Sequence, residues 1–150
     1  MNSRLRILHL EDDLNDSELV RSALEEDNVS LDIDRVETKV DFVEALGDKE
    51  FDIVLADYRL PSFDGLSALA IVREKTPDLP FVFVSGVMGE ELAIETLKSG
   101  ATDYVLKQHL SRLAPAVHRA LKESEERIER RKAKDEMKER NESRDIEQRK

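Results

Sequence analysis

The chain has 150 residues, no cysteine and a formal net charge of −10. That length suits one domain of ordinary size plus an extension, and the absence of cysteine excludes disulfide frameworks and thiolate-based zinc or redox chemistry. Residues 1–121 carry 13 Lys and Arg against 24 Asp and Glu, whereas residues 122–150 carry 11 against 10. The acidic part lacks the clustered cations that phosphate contacts require, so direct nucleic-acid binding is not expected. The tail intersperses its signs too finely for a basic arm.

The first apolar run, residues 5–10, passes at once into Glu11-Asp12-Asp13. It reads as a strand, too short and too soon acidic for a signal peptide. No stretch approaches the ~18–20 apolar residues of a membrane span, so a cytoplasmic protein with no membrane contact is expected. Leu14, Leu19, Val20, Ala23 and Leu24 then set one apolar stripe on a first helix. Residues 31–36 alternate, as an edge strand with one wet face does. Val40, Val43 and Leu46 mark a second helix closed by Gly47. Residues 52–56 and 80–84 hold continuous apolar runs, the pattern of central parallel strands buried on both faces. Between them, Leu66, Leu69 and Ala70 mark a third helix ending before Thr76-Pro77-Asp78. Leu92, Ala93 and Leu97 mark a fourth, closed by Ser99-Gly100, and residues 102–106 form a fifth strand. Strict alternation predicts a doubly wound α/β fold with a five-stranded parallel sheet, order 2-1-3-4-5, flavodoxin-like.

The tail differs in kind. One extended helix is expected from about residue 111 into the region of residue 140, with Leu113, Val117 and Leu121 on the sheet. Acid-before-base pairs follow at Glu123/Arg127, Glu126/Arg130, Glu136/Arg140 and Asp145/Arg149, each worth ~0.2–0.5 kcal/mol in an isolated helix. Residues 1–121 are thus the expected domain, and residues 122–150 a charged helical extension or linker. Beyond Ile128 the apolar positions are too sparse for a sustained seam, so fraying is expected in a monomer, with weak pairing of two copies through Leu121 and Ile128.

In an open parallel sheet, ligands bind past the carboxyl ends of the strands where strand order reverses. Strand one ends in Glu11-Asp12-Asp13, strand three in Asp57, strand four in Ser85 and strand five in Lys107. Two carboxylates ~5 Å apart repel by roughly 3 kcal/mol at an effective dielectric of about 20. Lys107 can offset part of that, and a hard dication that keeps several waters, magnesium, offsets it better. A carboxylate beside magnesium and an ammonium can attack phosphorus in line, and Ser85 could donate to a phosphoryl oxygen. Taken singly, each residue has a plainer reading. Asp13 is a helix cap, Glu11-Asp12 a solvated loop, Asp57 a turn residue, Ser85 a cap, and Lys107 a surface lysine. Four such coincidences at one sheet edge are less economical than one site. Tyr104 reads equally as core packing or as a switch, and His9, His109 and His118 read as incidental.

The chain resembles the receiver domain of two-component response regulators from about Arg4 to Leu121. The resemblance rests on Ile7-Leu8-His9-Leu10-Glu11-Asp12-Asp13, on Asp57-Tyr58-Arg59-Leu60-Pro61-Ser62-Phe63-Asp64-Gly65, on Val84-Ser85-Gly86, and on Gly100-Ala101-Thr102-Asp103-Tyr104-Val105-Leu106-Lys107. It implies phosphorylation of Asp57 by a sensor histidine kinase or phosphotransfer protein. It also implies direct magnesium ligation by Asp12, Asp57 and the backbone carbonyl of Arg59, with Glu11 holding a coordinated water. Ser85 and Tyr104 match the family's switch pair, and the small Gly86 leaves the phosphoryl pocket open. One departure is Gln108, where the family usually has proline after the lysine. A non-proline cis bond costs ~2.5–4 kcal/mol, so a trans peptide is expected.

A phosphatase with an aspartyl-phosphate intermediate is the enzymatic rival, but the haloacid-dehalogenase family places a second acid two residues past its nucleophile, and Arg59 stands there. The expected protein is therefore no enzyme beyond handling its own phosphoryl group. A pseudo-receiver that binds partners without phosphorylation is the alternative. The open-ended Glu147-Gln148-Arg149-Lys150 suggests the N-terminal part of a longer signalling protein, a stand-alone receiver being the other possibility.

Overall fold

Two continuous apolar runs, Ile53–Ala56 (β3) and Phe81–Ser85 (β4), form the middle of one parallel sheet and are buried throughout. Leu5–Leu10 (β1) pairs with β3, and Leu31–Val36 (β2) and Asp103–Leu106 (β5) form the two edges. The order is β2-β1-β3-β4-β5, all parallel, as alternation of strand and helix predicts. The computed structural model describes residues 4–26, 30–86 and 89–148, with side chains described to residue 142. The expected pair Asp145/Arg149 therefore lies outside the described side chains.

The helices are Leu14–Glu25 (α1), Lys39–Asp48 (α2), Gly65–Lys75 (α3), Glu90–Lys98 (α4) and Leu113–Gln148 (α5). One sheet face packs Leu8, Leu10, Val54, Phe81 and Phe83 against Phe42 of α2 and Leu69 and Val72 of α3. The opposite face packs Ile7, Ile53, Leu55, Val82 and Val105 against Val20 and Leu24 of α1 and Leu113 and Val117 of α5. Burying a side chain of this size contributes ~1.5–3 kcal/mol, which is why the alternation of strand and helix specifies the layers.

The expected strand limits shift by one residue at four places. Asp52 stays outside β3, where its carboxylate accepts the Arg6 N–H at 2.8 Å. Ser85 falls inside β4, and Pro80 and Thr102 fall outside β4 and β5. The helical stripes need larger correction. Leu14 and Leu19 of α1, Val40 of α2 and Leu97 of α4 are exposed, and so is Ala70 of α3. Leu14, Leu19, Val40 and Ala70 stand roughly a quarter of a turn or more from the side chains that do reach the sheet, Val20 and Leu24, Phe42, and Ala68 and Leu69. Leu97, by contrast, shares the face of the buried Ala93 and is exposed one turn beyond it.

The last helix is continuous, as expected, but a 3-10 segment, Lys107–Arg112, kinked at His109, precedes it. No cis peptide occurs among the described residues, so Lys107–Gln108 is trans. Beyond the sheet, non-local contacts set the direction of α5. Ser124 Oγ donates to the Asp78 carbonyl at 2.8 Å, and Arg131 grips the Asp78 carboxylate with both guanidinium nitrogens, Nη2 at 2.9 Å. Leu121 turns inward against the α5-side core rather than outward. It lines a groove with Phe51, Leu79 and Ile128 near the amino ends of the strands.

Candidate functional site: an acid cluster bridged by lysine

The ends of β1, β3 and β5 bring the chemistry together. The Glu11 N–H bonds the Val36 carbonyl at 3.0 Å, and Arg35 Nη1 donates to the Glu11 carbonyl at 3.0 Å, which fixes the chain just past β1. The Glu11 side chain is consequently 1% exposed. Asp13 caps α1 as expected, its Oδ1 accepting from the backbone N–H of Asn15 at 2.8 Å and of Asp16 at 3.1 Å. The Asp57 N–H bonds the Leu10 carbonyl at 3.0 Å, which sets the first residue after β3 beside the end of β1.

A tight loop holds Asp57 from the other side. Gly65 N–H bonds the Tyr58 carbonyl at 2.9 Å, and Asp64 caps α3 through Ser67 N–H at 2.8 Å. A Cβ on Gly65 would lie 2.5 Å from the Asp57 carbonyl oxygen and 2.6 Å from the Phe83 ring. Only glycine lets α3 start this close to the site.

One carboxylate oxygen from each of Glu11, Asp12 and Asp57 lies within 4.8 Å of the others. Lys107, the first residue past β5, places Nζ 2.7 Å from Glu11 Oε1, 2.7 Å from Asp16 Oδ2 and 2.9 Å from Asp57 Oδ2. Burial alone would lower the lysine's pKa, but the surrounding carboxylates of Asp16, Glu11 and Asp57 raise it above the ordinary value, so it stays an ammonium. Burial pushes the Glu11 carboxyl up to about 7, Lys107 offsetting only part of that cost. Glu11 Oε1 touches the ammonium at ion-pair distance but receives no directed hydrogen bond. A buried carboxylate oxygen left so is what a hydrated cation would satisfy, and oxygen donors in this number suit a hard dication.

The remaining expected residues fall around this cluster. Ser85 ends β4, 5% exposed, in register with Leu106 and hence next to Lys107. Tyr104 pairs with Phe83 across β4 and β5, half-buried against the α2–α3 side of the core. Arg59 is exposed in the loop after β3. His9 has no ligand role in the cluster and is a core residue, 1% exposed, with Nδ1 3.4 Å from Ser17 Oγ. Burial, with the nearby cations Lys107 and Arg35, lowers its pKa to about 4, which keeps it a neutral core residue.

Two contacts went unread in the sequence. Asp16 reaches Lys107 across 91 positions. Its signal was available: an acid three residues after the cap Asp13 shares the first-turn face that points toward the strand ends. Gln108 Nε2 donates to the Gly86 carbonyl at 2.7 Å, tying the segment after β5 to the loop after β4. A proline at that position could not make this bond.

A doubly wound parallel sheet with converging acids and a lysine at its switch point defines a class of α/β domain rather than one activity. The chain belongs to the response regulator receiver domain family, whose family model matches residues 7–118. The regulatory protein LuxO of Vibrio cholerae serotype O1 is 35% identical over 97 residues, covering 64% of this chain and 21% of that protein. The transcriptional regulatory protein ZraR of Salmonella typhimurium is 34% identical over 80 residues, 53% of this chain and 18% of that one. The chain therefore spans about a fifth of the length of these relatives. The signal receiver domain of a putative LuxO repressor protein from Vibrio parahaemolyticus has the same fold, with a TM-score of 0.74 at 22% identity over 84% of this chain and 96% of that one. The chain is thus a receiver domain of two-component signalling, a signalling module and not an enzyme in the ordinary sense. Among the described residues, no helix is long and apolar enough to cross a membrane.

Proposed function

We propose that Asp57 is the phosphoacceptor and that residues 1–121 form the receiver, with residues 122–150 as its helical extension. The observation that carries this is the Lys107 ammonium, shared between Asp57 and Glu11 at the sheet's switch point. Asp57 Oδ attacks the phosphorus of a phosphohistidine on a sensor kinase or phosphotransfer protein. The P–N bond breaks and an acyl phosphate forms. Lys107 shifts from carboxylate oxygen to phosphoryl oxygen, and the Ser85 hydroxyl donates to another. Tyr104, beside Phe83 on the neighbouring strand, turns inward as Ser85 moves, which changes the β5 face. Glu11, Asp12, Asp57 and the backbone carbonyl of Arg59 would hold magnesium, which when bound neutralises charge on the transferring group.

The acidic balance of residues 1–121, 13 Lys and Arg against 24 Asp and Glu, disfavours nucleic acid as a partner, and we place the domain in the cytoplasm with its kinase. Self-association through the tail is weak in this account, because Leu121 faces inward. Ile128 and Met137 stand about 180° apart around the helix and share no seam. Incubation with acetyl phosphate and magnesium should add one base-labile phosphoryl group to the wild type and none to Asp57→Asn. Labelling that persists in the variant would refute the assignment, and no labelling of the wild type would favour a pseudo-receiver.

A further inference from the structure

An ammonium has three N–H donors, and Lys107 faces three carboxylates with them, as hydrogen bonds to Asp16 and Asp57 and at ion-pair distance from Glu11. Two of these, Glu11 and Asp57, belong to the acid cluster. The third, Asp16, comes from the first turn of α1 and lies outside it. We propose that Asp16 is a positioning residue for phosphoryl transfer, holding the Lys107 ammonium in the site when the cluster's own charge is taken up. This rests on the reading of Asp57 as phosphoacceptor.

The charges require such an anchor. A dication held by Glu11, Asp12 and Asp57 would offset two of their three negative charges and weaken the cluster's hold on the Lys107 ammonium. Transfer of a phosphoryl group to Asp57 would replace that carboxylate contact by one to a phosphoryl oxygen, so the ammonium must shift within the site. Asp16 lies outside the cluster, and its carboxylate, 2.7 Å from Nζ, is consumed by neither change. Its placement is well braced. Asp13 accepts its N–H, and Val20 and Leu24 of the same helix are buried against the sheet. A first-turn acid often does no more than offset the helix dipole. Here it also closes a contact with a side chain delivered by a different element. The carboxylate is one-third exposed, against 17% for the lysine, so Asp16 anchors the ammonium from the solvent side.

The lysine's position is read directly from the 1H–15N signal of its ammonium, which is seen only while hydrogen bonds slow its exchange. With wild type, the Lys107 signal is expected both without and with saturating magnesium. With Asp16→Asn it should persist without the metal and vanish with it, and Asp16→Glu should restore it. The rate of Asp57 phosphorylation by acetyl phosphate should fall about tenfold in Asp16→Asn, the loss expected of one charge-assisted hydrogen bond. In a Lys107→Met background, Asp16→Asn should have no further effect. An ammonium signal that survives magnesium in Asp16→Asn, or an Asp16→Asn effect undiminished in Lys107→Met, would overturn the proposal. If Lys107→Met does not fold, the ammonium signal alone decides. Wild type that takes up no phosphoryl group, or labelling that survives Asp57→Asn, would overturn the role of Asp57 instead. The magnesium dependence of the signal would still decide that of Asp16.

Discussion

Gly65→Ala tests how rigidly the fold holds Asp57. The new Cβ would sit 2.5 Å from the Asp57 carbonyl oxygen and 2.6 Å from Phe83 Cε1. Relief to an ordinary contact needs a shift of roughly 1 Å. Phe83 cannot turn away freely, because Phe81 and Tyr58 flank its ring with centroids at 5.0 and 5.8 Å. The start of α3 is held by the Asp64 cap and the Gly65–Tyr58 hydrogen bond, so part of the shift falls on Asp57. Overpacking of this kind costs about 1–3 kcal/mol, and the better helix propensity of alanine returns at most about 1. A fall in Tm of roughly 3–10 °C is expected by circular dichroism. Displacing the nucleophile by up to about 1 Å should slow phosphorylation by acetyl phosphate some ten- to a hundredfold. An unchanged Tm with an unchanged rate would show that the loop gives way without moving Asp57, and would refute the reasoning.

Magnesium at 100 times its dissociation constant should stabilise the fold by about 2.7 kcal/mol. Asp12→Asn should raise the metal-free Tm by relieving repulsion and abolish most of the magnesium shift, both readable by differential scanning calorimetry. Arg131→Ala should leave Tm nearly unchanged, since the pair is partly exposed. Hydrogen exchange should nevertheless quicken around Ser124–Arg131 once Asp78 no longer holds that turn. Gln108→Ala should speed exchange in the loop after β4, where the Gly86 carbonyl loses its donor, while protection of β3 stays as it was.

The parts of the molecule legible in the sequence are those set by local pattern. Ile53–Ala56 and Phe81–Ser85 could hardly be anything but buried strands, and the strand ends Glu11, Asp57, Ser85 and Lys107 followed from them. Helix faces were less legible, because α1 and α2 each offer more apolar residues than one face can bury. Val20 and Phe42 reach the sheet, whereas Leu19 and Val40, one and two positions away, do not. Contacts between distant segments left no periodic trace: Asp16 with Lys107, Gln108 with Gly86, and Asp78 with Arg131 depend on how whole elements dock. The burial of His9 was not anticipated for a related reason, since an alternate position on an inner strand is buried whatever its polarity.

The central claim, that Asp57 carries the phosphoryl group, is tested most directly by locating the modified residue. Phosphorylation by acetyl phosphate with magnesium, borohydride reduction of the acyl phosphate to homoserine, and peptide mass spectrometry read the position itself. The account predicts homoserine at position 57 and at no other. Homoserine at position 12, 13 or 16 with Asp57 intact would contradict it.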